Sequence, residues 1–190
     1  MPGVTETTQT PGPDRRVRDA VPEDVGRIAE LVRELATYER EADQVRSTPE
    51  AFSRLMFPDD GTQPMAFCLI AEVRTDGGEW RSVGFAAWYL TFSTWTGAKG
   101  IWLEDLFVSP DVRGSGLGKA LLARLAEIAV ERGYQRVEWW VLKWNEPALG
   151  FYRSLGAEPL DDWVHYRLDR EALHRLGSRA PSAPSASPAP

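Results

Sequence analysis

Two hydrophobic periods alternate along the chain. Near the start, "PEDVGRIAELVRELATYE" puts Val25, Ile28, Leu31, Val32 and Leu35 on one stripe at helical spacing. Pro22 suits the first turn of that helix, where a missing N–H leaves no bond unmade. Ahead of it, Val17-Arg18 opens a short strand. "STPEAFSRLMF" predicts a second helix, with Ser47 or Thr48 as N-cap. "MAFCLIAEV" reads as a strand, "TDGG" as a hairpin turn, and "SVGFAAWYLTF" and "GIWLEDLFVS" as two more strands. From Leu117 to Arg132 the helical period returns, with Leu121, Leu125, Ile128 and Ala129 inward and Gly133 as the stop. "RVEWWVL" predicts a strand, "EPALGFYRSL" a short helix ended by Gly156, and "WVHYRL" a last strand. Short links among the three middle strands imply an antiparallel half. The later strand–helix–strand passage implies a right-handed parallel crossover. The expected fold class is α/β, a mixed, mostly antiparallel central sheet flanked by helices.

Composition narrows the chemistry. At 190 residues and 43% hydrophobic, the chain can bury one core of ordinary size. That core is expected over residues 17–176. A Thr/Pro/Gly-rich tail at 1–16 and an Ala/Pro/Ser tail at 177–190 have too little apolar surface to fold, and are expected to be disordered. The net charge of -6 argues against nucleic acid as a partner. No run of 18 apolar residues predicts a membrane span, and the N-terminus lacks the apolar core of a signal peptide, so a cytoplasmic protein is expected. Cys68 is the only cysteine, in the apolar setting of a buried thiol, so neither an intramolecular disulfide nor a cysteine-based zinc site is available. Two histidines, His165 and His174, give little material for a metal site or a Ser-His triad, and no metal is expected.

The chemistry-bearing segment is "LFVSPDVRGSGLGKAL". Glycines at a strand-to-helix junction let the backbone come close to a ligand, and the first amides of a helix are unpaired and positively polarised. The combination suits a phosphate. A P-loop needs glycine where this chain has Arg113 and Ser/Thr where it has Ala120. The dinucleotide fingerprint starting at Gly114 fails at Lys119. What fits is Arg-x-x-Gly-x-Gly, at Arg113, Gly116 and Gly118. That pattern resembles the pyrophosphate loop of the Gcn5-related N-acetyltransferases (GNAT), which use acetyl-CoA. "WNEPALGFYRSLGA" resembles the last block of the same family, and the resemblance runs from about Val17 to Leu173. It implies the GNAT fold and cofactor contacts from Leu106, Phe107 and Val108. It implies further contacts from the loop and helix start, Arg113, Gly114, Ser115, Gly116, Leu117, Gly118 and Lys119, and from Asn145, Ala148 and Tyr152.

Four segments, "RELATYEREADQV", "FSTWTG", "WLEDLFV" and "KWNEPALGFYRSLGA", resemble the diamine acetyltransferase branch, that of the spermidine/spermine and thialysine enzymes. The branch implies a homodimer, Tyr38 and Glu39 lining the amine site, and Glu104 acting as base through water. One departure matters. The polyamine enzymes carry an acid where this chain has Ser93, so a lysine-like or short diamine acceptor is favoured. Asp161 and Asp162 are further candidates for substrate contact.

These residue types match the demands of the reaction. An alkyl ammonium titrates near 10 and must lose a proton before it attacks a thioester. Glu104, mid-strand in "IWLEDLFV", can attract the cation and take that proton, while two-residue alternation sends Asp105 to the opposite face. A backbone N–H on a bulged strand around Leu106 to Val108 is a candidate oxyanion donor. Tyr152 is the candidate acid for the leaving thiolate. Trp95 is a candidate for cation–π contact with the acceptor. Two other readings stay open, a protein lysine or N-terminal acetyltransferase and a non-catalytic acyl-CoA-binding module.

Overall fold

The computed structural model describes residues 14–179, so most of the two expected tails lies outside the described residues. Where described, Arg15 and Arg16 already belong to the first strand, and Gly177 closes the last helix. In chain order the elements are β1 (Arg15–Asp19), α1 (Val25–Tyr38), α2 (Pro49–Met56), β2 (Phe67–Arg74), β3 (Trp80–Phe92), β4 (Lys99–Val108), α3 (Leu117–Glu131), β5 (Val137–Glu138), α4 (Glu146–Ser154) and α5 (Arg170–Gly177). The chain forms two compact units, one reaching Trp140 and one starting at Val141.

In the first unit the sheet runs β1-β2-β3-β4-β5. The first four strands are antiparallel, and β5 is parallel to β4 after the α3 crossover. The α/β class read from the periodicities is the observed one. Ile28, Leu31 and Leu35 of α1 and Met56 of α2 pack on Cys68, Ile70, Phe85 and Phe107, which form one face of the sheet. α3 buries Leu117, Leu121, Leu125 and Ile128, none of which joins that cluster, and so covers the other face. Thr48 caps α2, its side chain accepting from the Ala51 N–H.

An ion network fixes the start of α1 to the sheet edge. Arg18 grips Asp24 through two hydrogen bonds of 2.6 and 2.8 Å and reaches Glu72 on β2 at 2.9 Å. Arg16 adds a bond of 2.6 Å to Glu72, which is only 3% exposed. The hydrogen bonds from Arg18 hold the Asp24 carboxyl below the usual range. Burial works to raise Glu72, but the bonds from Arg18 and Arg16 outweigh it and hold that carboxyl low as well.

The structure departs from expectation at four places. The "RVEWWVL" strand contracts to Val137–Glu138. "WVHYRL" forms no strand: Trp163, Val164 and Tyr166 are exposed, and among the described residues no strand pairs with them. Strand-forming side chains are realised only beside an open edge that accepts them. The helix over Arg170–Gly177 was not expected, because only Leu173 and Leu176 mark its stripe; an i,i+4 ion pair from Arg175 to Glu171 supports it.

The fourth departure is a β-bulge. Ala87 of β3 faces Asp105, but the next residue, Trp88, faces Leu103. Glu104 is therefore the extra residue of β4. Its insertion reverses the pleat. Asp105 and Phe107 share a face with Ala87 and Phe85, the α1 face, whereas Leu103 shares the opposite face with Trp88. Strict alternation does not hold across Glu104. The bulge also lies upstream of Leu106 to Val108, which pair regularly with Ala86, Phe85 and Gly84.

Candidate active site

The bulge gathers acids. On the α1 face, Asp105 is packed where burial, then the charges of Glu104 and Glu39, push its carboxyl up to about 7. Glu39, just beyond the end of α1, is raised too, by burial and then by the charge of Glu41. Glu104 is exposed and accepts a hydrogen bond of 2.9 Å from the Trp102 indole N–H. Around it stand rings. Trp140 meets Trp102 edge-on at 4.7 Å, and Tyr89 lies 6.4 Å from Trp102. Burial, then the negative charge of Glu104, raises the Tyr89 hydroxyl. The first unit thus holds three carboxylates beside a half-exposed aromatic wall. Sequence reading singled out Glu39 and Glu104 but missed Asp105 as a site residue, because the bulge that turns it towards Glu39 leaves no mark in the local pattern.

Next to the acids, β4 offers an edge. β5 pairs with β4 only at Ile101 and Trp102, so the recorded pairing with β5 stops before Leu103–Val108, which includes Leu106, Phe107 and Val108. Phe107 itself sits in the core. An extended amide-bearing chain can pair with such an edge.

The strand then leads into the glycine loop. Ser109 is buried; its N–H donates to Val83 O at 2.8 Å and its hydroxyl to Glu34 of α1 at 2.9 Å. These bonds fix where the loop begins. Gly114 and Gly116 adopt φ of 76° and 85°, a region that side-chain-bearing residues avoid. A Cβ built on either would meet nothing within 4 Å, so the protein itself leaves the space above them open. The first loop-to-helix bond of α3 runs from Ala120 N–H to Gly116 O. The amides of Leu117, Gly118 and Lys119 are the donors that a helix start leaves unpaired. The buried Ser115 hydroxyl has no hydrogen-bond partner among the described residues. Open glycines, orphan amides and an orphan hydroxyl fit an anionic phosphate group. Arg113 donates to Val108 O at 3.1 Å, and its guanidinium lies 4.3 Å from the Tyr38 ring centre and 5.8 Å from that of Phe107. Tyr38 therefore touches the loop arginine.

The remaining candidates are placed as follows. Trp95 is 90% exposed on the turn between β3 and β4. Ser93 closes that turn, accepting from Gly97 N–H at 2.8 Å and donating from its own N–H to Ala98 O at 2.9 Å. Asn145, Ala148 and Tyr152 belong to the second unit. Asn145 is the buried N-cap of α4, its side-chain oxygen accepting from the Ala148 N–H at 3.3 Å. Tyr152 lies half-buried in α4, its ring 5.2 Å from Phe151. Asp161 and Asp162 are exposed. Among the described residues no cluster of ligating side chains could hold a metal ion.

A strand edge that runs into a phosphate-shaped loop, on a mixed sheet with a parallel crossover, defines an acyl-CoA-type transferase fold. Residues 28–157 match the model of the acetyltransferase (GNAT) family, and the chain belongs to that family. It is similar to a thialysine N-epsilon-acetyltransferase from Bos taurus, 37% identical over 169 residues that cover 86% of this chain and 97% of that protein. It is 35% identical over 164 residues to a spermidine/spermine N(1)-acetyltransferase-like protein 1 from Homo sapiens, covering 83% of this chain and 23% of that one. An integron cassette protein from the mobile metagenome of V. cholerae shares the fold, with TM-score 0.70 at 22% identity over 87% of this chain and 99% of that one.

Proposed function

We propose that this chain moves acetyl from acetyl-CoA to a primary amine of a small diamine or lysine-like molecule, of the thialysine type, in the cytoplasm and as a homodimer. The observation that carries the reading is the acid cluster at the β4 bulge. An exposed Glu104, with Asp105 titrating near neutrality beside it, suits a group that must first attract an ammonium and then remove its proton. Trp102 holds Glu104 in one orientation, and the Tyr89, Trp102 and Trp140 rings offer faces to the alkyl-ammonium chain.

Acetyl-CoA, when bound, supplies the thioester carbonyl and a thiolate leaving group. The Gly114 to Lys119 backbone and Arg113 would hold its pyrophosphate, and the Leu106–Val108 edge would pair with its amides. On the resemblance of its segment, Tyr152 of the second unit would serve as the acid for the leaving thiolate, with Asn145 and Ala148 at the start of the helix that carries it. Holding donor and acceptor together turns a two-body encounter into a fixed geometry, which supplies much of the rate. The turn at Ser93 carries no carboxylate for a second distant ammonium, which favours a short acceptor.

Two substitutions test the roles. Glu104→Gln and Tyr152→Phe are expected to keep CoA binding, read by calorimetry, and to lower kcat by about 100-fold or more, the usual scale for an acid or base. Normal turnover in both would remove the assigned roles.

A further inference from the structure

A groove of about 460 Å3 opens beside the glycine loop, in the range of small-ligand pockets. Arg15 at the start of β1, Arg74 at the end of β2, and Arg113, Gly114 and Ser115 of the loop line it, together with Asp14 and Asp111. Asp111 is already neutralised by Arg81 at 2.7 Å. Arg15 spans the groove, its guanidinium donating to Ser115 O at 2.6 Å. Arg74 and Arg113 share a second feature. Each uses its Nε in a hydrogen bond, to Gly78 O and Val108 O respectively, both at 3.1 Å. No recorded hydrogen bond takes their terminal N–H groups. Trp80 steadies the other side of Arg74, 5.7 Å from its guanidinium. A planar fork held at its base with its tips unused is the arrangement that grips a phosphate in bidentate fashion.

Resting on the acetyl-CoA reading above, we propose that this groove binds the 3′-phosphate of the cofactor's ribose, with Arg15 and Arg74 as its anion ligands. Gly114 and Ser115 line both the groove and the pyrophosphate loop, so one molecule can occupy both. In CoA the second anion sits one sugar ring from the pyrophosphate, which is the spacing that contiguity demands. The pyrophosphate loop fixes the reactive end of the cofactor, whereas this groove selects for its phosphorylated ribose.

The test compares CoA with 3′-dephospho-CoA by calorimetry, which needs no turnover. Wild type is expected to bind CoA at least tenfold more tightly. Arg74→Gln is expected to lose most of that difference by weakening CoA alone, leaving 3′-dephospho-CoA unchanged; Arg74→Lys, with a point charge in place of the fork, falls between. Equal binding of the two ligands by wild type overturns the proposal, as does an Arg74→Gln loss that is the same for both. Failure of the acetyltransferase reading shows differently, as no acetyl transfer from either acetylated donor to any amine.

Discussion

Burial, then the charges of Glu104 and Glu39, raise the Asp105 carboxyl to about 7, where an aspartate in an unfolded chain titrates near 4. The unfolded state gives up this proton first as pH rises. The contribution of the protonated acid to stability is complete below about 4 and is lost as pH climbs through about 7. Three pKa units correspond to on the order of 4 kcal/mol. Asp105→Asn removes that loss. Its urea midpoint is expected to match wild type at pH 4 and to exceed it at pH 8.5; parallel pH curves for the two proteins would contradict the burial of Asp105. The same group shapes activity. The acidic limb of kcat/KM is expected near pH 7, and Glu104→Gln, by deleting a negative neighbour, is expected to shift the limb of its residual activity to lower pH. Tyr38 makes a separate case. It resembles an amine-site residue, yet it lies under the Arg113 guanidinium. An exposed cation–π contact contributes roughly 0.5–1 kcal/mol, or about two- to fivefold. Tyr38→Leu is therefore expected to raise KM for acetyl-CoA by about that factor, with Tyr38→Phe near normal. A change confined to the amine KM would return Tyr38 to the amine site alone.

At the scale of elements, the glycine loop was legible because its cause is local. Gly114 and Gly116 need positive φ, and no other residue supplies it as readily. The stripes of α1 and α3 were legible for a similar reason, since each helix reports its buried face through its own spacing. The bulge at Glu104 was not. It is a property of the register between β3 and β4, and nothing in "IWLEDLFV" says which residue will go unpaired. That is why Asp105, two residues from core Phe107 and on its face, escaped notice as an acid of the site. The predicted strand at 163–168 failed because strand propensity needs a partner edge. The ion network at Arg18, Asp24 and Glu72 also depends on tertiary contacts, between residues up to 56 apart. Removing one member leaves buried charge without its partner. Glu72→Ala is expected to cost about 2–4 kcal/mol in chemical unfolding, less than a fully buried pair because Arg16 and Arg18 are partly exposed. Asp24 and Glu72 have depressed folded values, so their contribution is present above about pH 4 and is lost as pH falls through those values. A Glu72→Ala protein as stable as wild type at pH 7 would show the network to be ornamental.

At the scale of the whole molecule, the second unit exposes Trp163, Val164, Tyr166 and Leu168 along one short segment. Apolar surface of that kind marks an interface, in keeping with the proposed homodimer. Sedimentation equilibrium is expected to give about twice the chain mass of 21.3 kDa, and a species at the chain mass across micromolar concentrations would contradict it. The central proposal concerns the acceptor, and one assay reaches it most directly. Free-thiol release from acetyl-CoA should be followed against thialysine, lysine, ornithine, putrescine, spermidine, spermine and a lysine-containing peptide. The acid cluster at the bulge and the uncharged turn at Ser93 lead to the highest kcat/KM with thialysine or a short diamine. Highest turnover on the peptide, or none on any amine while CoA still binds, would contradict the small-amine acetyltransferase reading.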